Sequence, residues 1–141
     1  MSKSDTRTRK FGLWRRAKSE DGSSTIEAVL WVPLLATLLM LVVDTSFVFY
    51  GRAQAMRIVQ DGNRAYSLGR FESDAEASAF IYDTIKALAP GAEVETVLNT
   101  STGVIATTVK LPVDDLMVAG NVAGLGSGFF VWVTAQHYAE T

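Results

Sequence analysis

One long apolar run dominates the pattern of hydrophobic and polar positions in this 141-residue chain. It extends from Ala28 to Tyr50, and among its 23 residues only Asp44 is charged. A helix of this length covers about 34 Å, which is enough to cross a hydrocarbon core of about 30 Å. The buried helix of a soluble domain usually shows a polar face, and this run lacks one. The pattern therefore predicts a transmembrane helix over residues 23–50.

Two helical patterns follow the apolar run. Residues 51–70 keep helical spacing, so we expect the membrane helix to continue beyond the bilayer. Ser73 and Glu76 have the spacing of a capping box, which predicts a second, amphipathic helix that ends near Pro90. The spacing places two sets of residues each on one helix face: Ala55, Val59, Gly62 and Tyr66 on the first helix and Ala77, Phe80, Ile81, Ile85 and Leu88 on the second.

The apolar period changes to two after Gly91, which is typical of β-strands. Alternation over residues 93–98 and 105–111 predicts a hairpin whose loop is 99–103 and whose second strand ends at Pro112. The segment 129–138 is apolar on both faces, so we expect it to be the central strand. The fold class predicted is α+β: a long N-terminal transmembrane helix extended beyond the membrane, a second amphipathic helix and a small antiparallel sheet of about three strands.

Residues 113–128, between the last two strands, are rich in glycine and small apolar residues. A connection this apolar is unusual for a solvated loop. Four placements remain open for it: against the membrane, against the long helix, against a partner subunit, or as a packed surface loop.

Charge divides the chain at the start of the apolar run. Residues 1–22 carry seven basic and three acidic groups, a net charge of +4, whereas the remaining 119 residues carry −6. Because basic residues stay on the cytoplasmic side, residues 1–22 are predicted to be a cytoplasmic leader and residues 51–141 to lie across the membrane. Asp44 is close enough to the far side that we expect its carboxylate to reach interfacial water.

The composition argues against an enzyme. The chain has no cysteine and a single histidine, His137, at a strand end. Asp114 and Asp115 form an adjacent carboxylate pair without a nearby acid or base, and the glycines of 120–128 lack phosphate-loop spacing. We therefore predict no catalytic residue, no cofactor and no metal. The arginines just past the span are expected to contact lipid phosphates and to flank the helix, and no nucleic-acid partner is predicted.

The junction between the basic leader and the apolar run allows two interpretations. Ser24 and Glu27 have capping-box spacing, which would begin the helix at this point. That account explains neither Gly22 nor a short basic leader that stops at it. The arrangement also resembles the processing site of type IV pilin-like proteins, in which a membrane peptidase cuts after the glycine. Cleavage between Gly22 and Ser23 would make Glu27 the fifth residue of the mature chain.

Within that superfamily, the first seventy residues resemble a TadE-type pseudopilin of the tight-adherence (Tad/Flp) pilus assembly system. The resemblance rests on the leader, the entry sequence from Gly22 to Glu27, the apolar helix with its early Pro33, and the residues around Arg57 and Asn63. It implies a minor subunit that acts in pilus assembly for surface adherence. The partners it implies are the bilayer, a prepilin peptidase, other pilin or pseudopilin subunits and the assembly platform.

The resemblance also implies a location, the inner membrane, with a single pass and a periplasmic C-terminal domain. Under it Gly22 and Ser23 form the processing site, while Glu27, Ser24 and Pro33 serve assembly and recognition. TadF-type pseudopilins share these features, and entry into the fibre is left open. The alternative function is an unprocessed signal-anchored envelope adaptor with a periplasmic binding domain. An anchored hydrolase would need a polar cleft that the sequence does not display.

Overall fold

The computed structural model describes residues 20–120 and 126–139. Its elements in chain order are helix α1 (Glu20–Ser67), helix α2 (Asp74–Ile85), strand β1 (Glu93–Asn99), strand β2 (Val104–Pro112), the short helix α3 (Val113–Leu116) and strand β3 (Phe130–Tyr138). The three strands form one antiparallel sheet. These elements confirm the predicted α+β class. The chain divides into two compact units, one that ends at Leu39 and one that begins at Met40.

In the first unit, α1 is long and apolar enough to cross a membrane, and it is the one such helix among the residues searched. Its large apolar side chains between Ile26 and Leu39 are exposed. Exposed apolar surface of this extent needs lipid or other helices around it. The helix already includes residues 20–23, so Ser24 lies inside it. The interpretation of Ser24 as the N-cap residue is therefore wrong.

The C-terminal unit, residues 40–141, is built around the second half of α1. Buried residues recur there every three or four positions, which places them on one face of the helix. This face packs in a core with α2 and the sheet, and it confirms the predicted continuation of the helix. The fully buried residues on it include Ala55 and Val59, and Gly62 and Asn63 are also buried.

Helix α2 begins as its sequence predicts. The Ser73 hydroxyl accepts a hydrogen bond from the Glu76 N–H, and the Glu76 carboxylate accepts one from the Glu72 N–H. The helix ends at Ile85, earlier than the predicted end near Pro90. Phe80, placed by its spacing on the same helix face as the buried Ile81 and Ile85, is 46% exposed, and its ring lies 5.1 Å from that of Phe71.

Tyr66 joins the two helices. Its hydroxyl donates a 2.7 Å hydrogen bond to Asp74, in the first turn of α2. Burial, together with this bond to a carboxylate, raises the pKa of Tyr66 to about 12. The phenol therefore stays protonated at physiological pH and acts as a donor at the end of α1.

The strand order is β1-β2-β3, so β3 lies at an edge of the sheet and β2 is central. The prediction that 129–138 would be the central strand is wrong. Its alternate residue Val133 is buried against the helices, while Phe130 and Trp132 point to the uncovered face and are exposed. Apolar residues on both faces of a strand predict that both faces are covered. Here the helices cover one face of the sheet.

A buried polar network links α1 to the sheet. The side-chain nitrogen of Asn63 donates to the carbonyl of Ala135 on β3, and its oxygen accepts from the Thr107 hydroxyl on β2. The hydroxyls of Thr107 and Thr96 are 2.9 Å apart and share a further hydrogen bond. Because buried amides and hydroxyls are costly when unpaired, the network fixes the position of the helix along the sheet.

Replacing Gly62 with alanine is expected to destabilise the C-terminal unit by about 1–3 kcal/mol, although alanine is normally the better helix former. The reason is a close approach: an added Cβ would lie 2.4 Å from Cγ1 of Ile81 on α2. Thermal unfolding of the full chain in detergent measures the change. Combining Gly62→Ala with Ile81→Ala should cost less than the sum of the two single changes. Strict additivity would contradict the contact.

Candidate functional site

The residues predicted to carry function lie along the first part of α1. Gly22, Ser23 and Ser24 fall in its first turns, and Glu27 and Pro33 follow on the same helix. The structure therefore brings them together only as neighbours in one helix, without a contribution from the sheet. Glu27 is five positions after Gly22, a distance of about 7.5 Å along the helix axis.

Glu27 is exposed on a helix whose neighbouring side chains are apolar and exposed. A carboxylate at the edge of hydrocarbon is costly unless water or a positive group pairs with it. Glu27 is therefore a point at which this otherwise apolar surface can select a charged partner. Ile26, Val29 and Leu30 are the exposed apolar side chains closest to it in sequence.

Pro33 lies inside α1. Proline has no N–H, so the carbonyl of Val29 loses its normal helical donor. Four residues later, the Thr37 hydroxyl donates a 2.8 Å hydrogen bond to the Pro33 carbonyl. Missing and shared hydrogen bonds of this kind make one turn of a helix easier to bend.

Asp44 has a role that the sequence did not reveal. It was expected to reach interfacial water, but it is only 3% exposed and is satisfied by the protein itself. Its carboxylate accepts backbone hydrogen bonds from Val118 at 3.0 Å, from Ala119 at 2.8 Å, and from Gly120. Three consecutive N–H groups that converge on one carboxylate form an anion-binding arrangement.

Glycines allow the segment after α3 to approach α1 closely enough for these bonds. A Cβ at Gly120 would lie 2.8 Å from an Asp44 oxygen, and one at Gly51 would lie 2.6 Å from Leu116. We call these contacts, Asp44 with 118–120 and Gly51 with Leu116, the α1 clamp. The described part of segment 113–128 thus packs on the long helix, one of its four predicted placements. The sequence contains the separate elements of the clamp, an acidic residue in an apolar helix and glycines far from it, but nothing in the sequence pairs them.

The two carboxylates that were considered for chemistry point to different partners. Asp115 accepts a 2.7 Å hydrogen bond from the Gly91 N–H, which ties α3 to the start of β1. Asp114 lies against Gly126 and near the Ser127 hydroxyl. Over residues 20–120 and 126–139, no group of three or more acidic or histidine side chains is arranged to hold a metal ion.

A comparison with known families bears on the part of α1 that carries these residues. The family model described as TadE-like protein matches residues 22–64. This part of the chain is TadE-like. No curated protein and no solved structure matches the chain.

The TadE-like match confirms the resemblance predicted for the first seventy residues. It begins at Gly22, continues through Glu27, Pro33 and Asp44, and ends one residue after Asn63. It therefore covers α1 almost to its end and leaves the sheet outside. The match relates residues 22–64 to the TadE-like proteins of the Tad pilus system, and α1 is long and apolar enough to anchor the chain in a membrane.

Proposed function

We propose that this chain is a minor pilin-like subunit, a pseudopilin, that a prepilin peptidase processes after Gly22 and that acts in assembly of a Tad/Flp-type pilus. Residues 1–22 would be the cytoplasmic leader, 23–50 the inner-membrane helix and 51–141 the periplasmic domain. The observation that supports this best is the TadE-like match, which begins at Gly22 and includes the exposed Glu27. Its partners would be the peptidase, other pilin or pseudopilin subunits and the assembly platform.

Cleavage after Gly22 would create a positive group beside Glu27. The new α-amino group on Ser23 would carry a positive charge, as chain N-termini ordinarily do at neutral pH. Residues 23 and 27 are one helical turn apart, so the amine and the carboxylate would lie on the same side of α1. A neighbouring subunit could then offer its amine to Glu27, and the pairing would set the axial offset between adjacent helices.

The peptide bond to be cut lies within α1, so a peptidase must first open the surrounding turn. Glycine lowers the cost of doing so, because it is about 1 kcal/mol less favourable than alanine in a helix. Gly22 therefore suits the cleavage position by its small size and by its low preference for the helix.

The exposed apolar surface of α1 supports assembly through the helix. Large apolar side chains are exposed on every side of its first unit. In lipid, association of such helices depends on close packing and on a few polar contacts, since apolar surface alone gives little preference for helix over lipid. Glu27 would supply the specific polar contact, and the bend allowed at Pro33 would adjust the helix to its neighbours.

Replacing Gly22 with glutamate is expected to abolish cleavage, because a charged side chain would replace the small residue at the bond. The intact mass of the membrane-extracted protein, made with and without the peptidase, shows whether the bond has been cut. The unchanged chain should lose residues 1–22, whereas Gly22→Glu should keep them. Gly12→Glu, which adds the same charge to the leader, should be cut normally. An unchanged chain that keeps Met1 beside its peptidase would instead support the signal-anchored adaptor.

A further inference from the structure

Three apolar side chains are exposed at one end of the C-terminal unit. Val118 is 59% exposed, Phe129 63% and Phe130 45%. We call them the basal surface. The backbone of two of them is held by hydrogen bonds. Val118 donates its N–H to the buried Asp44, and the Phe129 carbonyl accepts from the N–H of Val113 at the start of α3.

The contacts of these residues fix their level along α1. Val118 is bonded to Asp44, so it lies at the level of that residue. Phe130 pairs with Pro112, the last residue of β2, and α3 follows directly and brings Leu116 against Gly51. The basal surface therefore lies beside the part of α1 between residues 44 and 51, at the end from which the exposed apolar turn 40–43 extends.

The thickness of a bilayer places the same part of α1 at a membrane surface. Measured from Glu27, a hydrocarbon core of about 30 Å takes up about 20 residues of helix and so reaches Phe47. Exposed Phe49 and Tyr50 come next, followed by the exposed Arg52. Aromatic and then basic residues are the usual sequence at a membrane–water interface.

Asp44 would then lie inside the hydrocarbon boundary, where a bare carboxylate is costly. The segment 118–120 removes that cost by giving the carboxylate three backbone donors. To do so at this depth, the segment must itself enter the edge of the bilayer. Its outward side chain, Val118, is apolar, which fits contact with lipid and not with water.

We propose that the basal surface is inserted in the interface of the outer leaflet. The C-terminal unit would then contact lipid through this surface in addition to being anchored by α1. Lipid acyl chains and headgroups are the partner. The continuity of this surface with the exposed apolar turn 40–43 supports that choice. The inference depends on α1 crossing a membrane and not on cleavage after Gly22. The experiment on lipid contact and the experiment on cleavage can therefore give independent results.

Tryptophan fluorescence in membranes tests the proposal on the uncleaved full chain. With Trp14, Trp31 and Trp132 replaced by phenylalanine, one tryptophan is introduced at a time. The probes are Val118→Trp and Phe130→Trp, and the matched control is Tyr138→Trp, on the same face at the other end of β3. Positions 130 and 138 are about 26 Å apart along the strand.

In vesicles of phosphatidylcholine and phosphatidylglycerol that contain a headgroup-spin-labelled lipid, both probes should lose roughly twice as much fluorescence as the control, or more. Acrylamide from the water should quench the control more strongly than the probes. Probes that behave like the control would overturn the proposal. So would probes that neither quencher reaches, which would show that protein covers this surface. Because Phe130 is exposed and lies outside the α1 clamp, Phe130→Trp still measures contact with lipid if Val118→Trp disturbs the clamp.

Discussion

Replacing Asp44 with alanine is expected to lower the melting temperature of the C-terminal unit by roughly 10 °C or more, through the loss of several hydrogen bonds at once. The change leaves the N–H groups of residues 118–120 without their acceptor in a place that water reaches poorly. It also removes one of the two contacts that hold the segment after α3 against α1, since only the contact of Leu116 with Gly51 remains. Thermal unfolding of the full chain in detergent micelles, followed by circular dichroism, measures the effect.

Asp61→Ala is the matched control for Asp44→Ala. Asp61 is on the same helix but exposed, so its removal should leave the melting temperature nearly unchanged. A second variant, Asp44→Leu, separates folding from insertion. Leucine inserts into a membrane more readily than aspartate, so membrane yield should hold or rise while the melting temperature falls. If Asp44→Leu is as stable as the unchanged chain, the clamp does not stabilise the unit.

Replacing Glu27 with valine is expected to reduce pilus assembly to background while membrane insertion and cleavage after Gly22 continue. Valine fits the apolar surface of α1, so the helix should still insert. What is lost is the carboxylate that would pair with the α-amino group of a neighbouring subunit. Sheared surface pili, counted by immunoblot and electron microscopy, report assembly. Intact mass of the membrane fraction reports cleavage.

Glu20→Val is the control for Glu27→Val. Glu20 lies on the same helix but would leave with the leader, so its replacement should not affect assembly. Glu27→Gln should also fail to assemble, because the neutral amide keeps the shape of the side chain but cannot form an ion pair. Normal pili from Glu27→Val, with the cleaved chain present in the membrane, would exclude the pairing.

The sequence predicted most local structure correctly because the decisive forces there act between near neighbours. The apolar run, the cap at Ser73 and the alternation in β1 and β2 each depend on residues within a few positions of one another. The start of α1 and the end of α2 were misplaced by several residues, since either boundary can shift by a turn at small cost.

The position of β3 could not be derived in the same way. Apolar residues on both faces of a strand indicate contact on both faces, but they do not say whether protein or another surface makes the contact. In the described part of the chain α1 and α2 pack on the same face of the sheet, and the other face of β3 is exposed. Phe130 and Trp132 are then exposed although both side chains are large and aromatic.

The sequence by itself determined the α+β class, the apolar helix that can cross a membrane and the TadE-like region with Gly22 and Glu27 at its start. These features depend on composition and on spacings between residues that are close together in the sequence. Only the tertiary structure decided that β3 is an edge strand, that Asn63 joins α1 to the sheet and that Asp44 is held by residues 118–120. The partners of Asp44 are more than seventy positions away in sequence. No local pattern encodes a pairing at that separation, because it arises only when the packed core brings the two segments together.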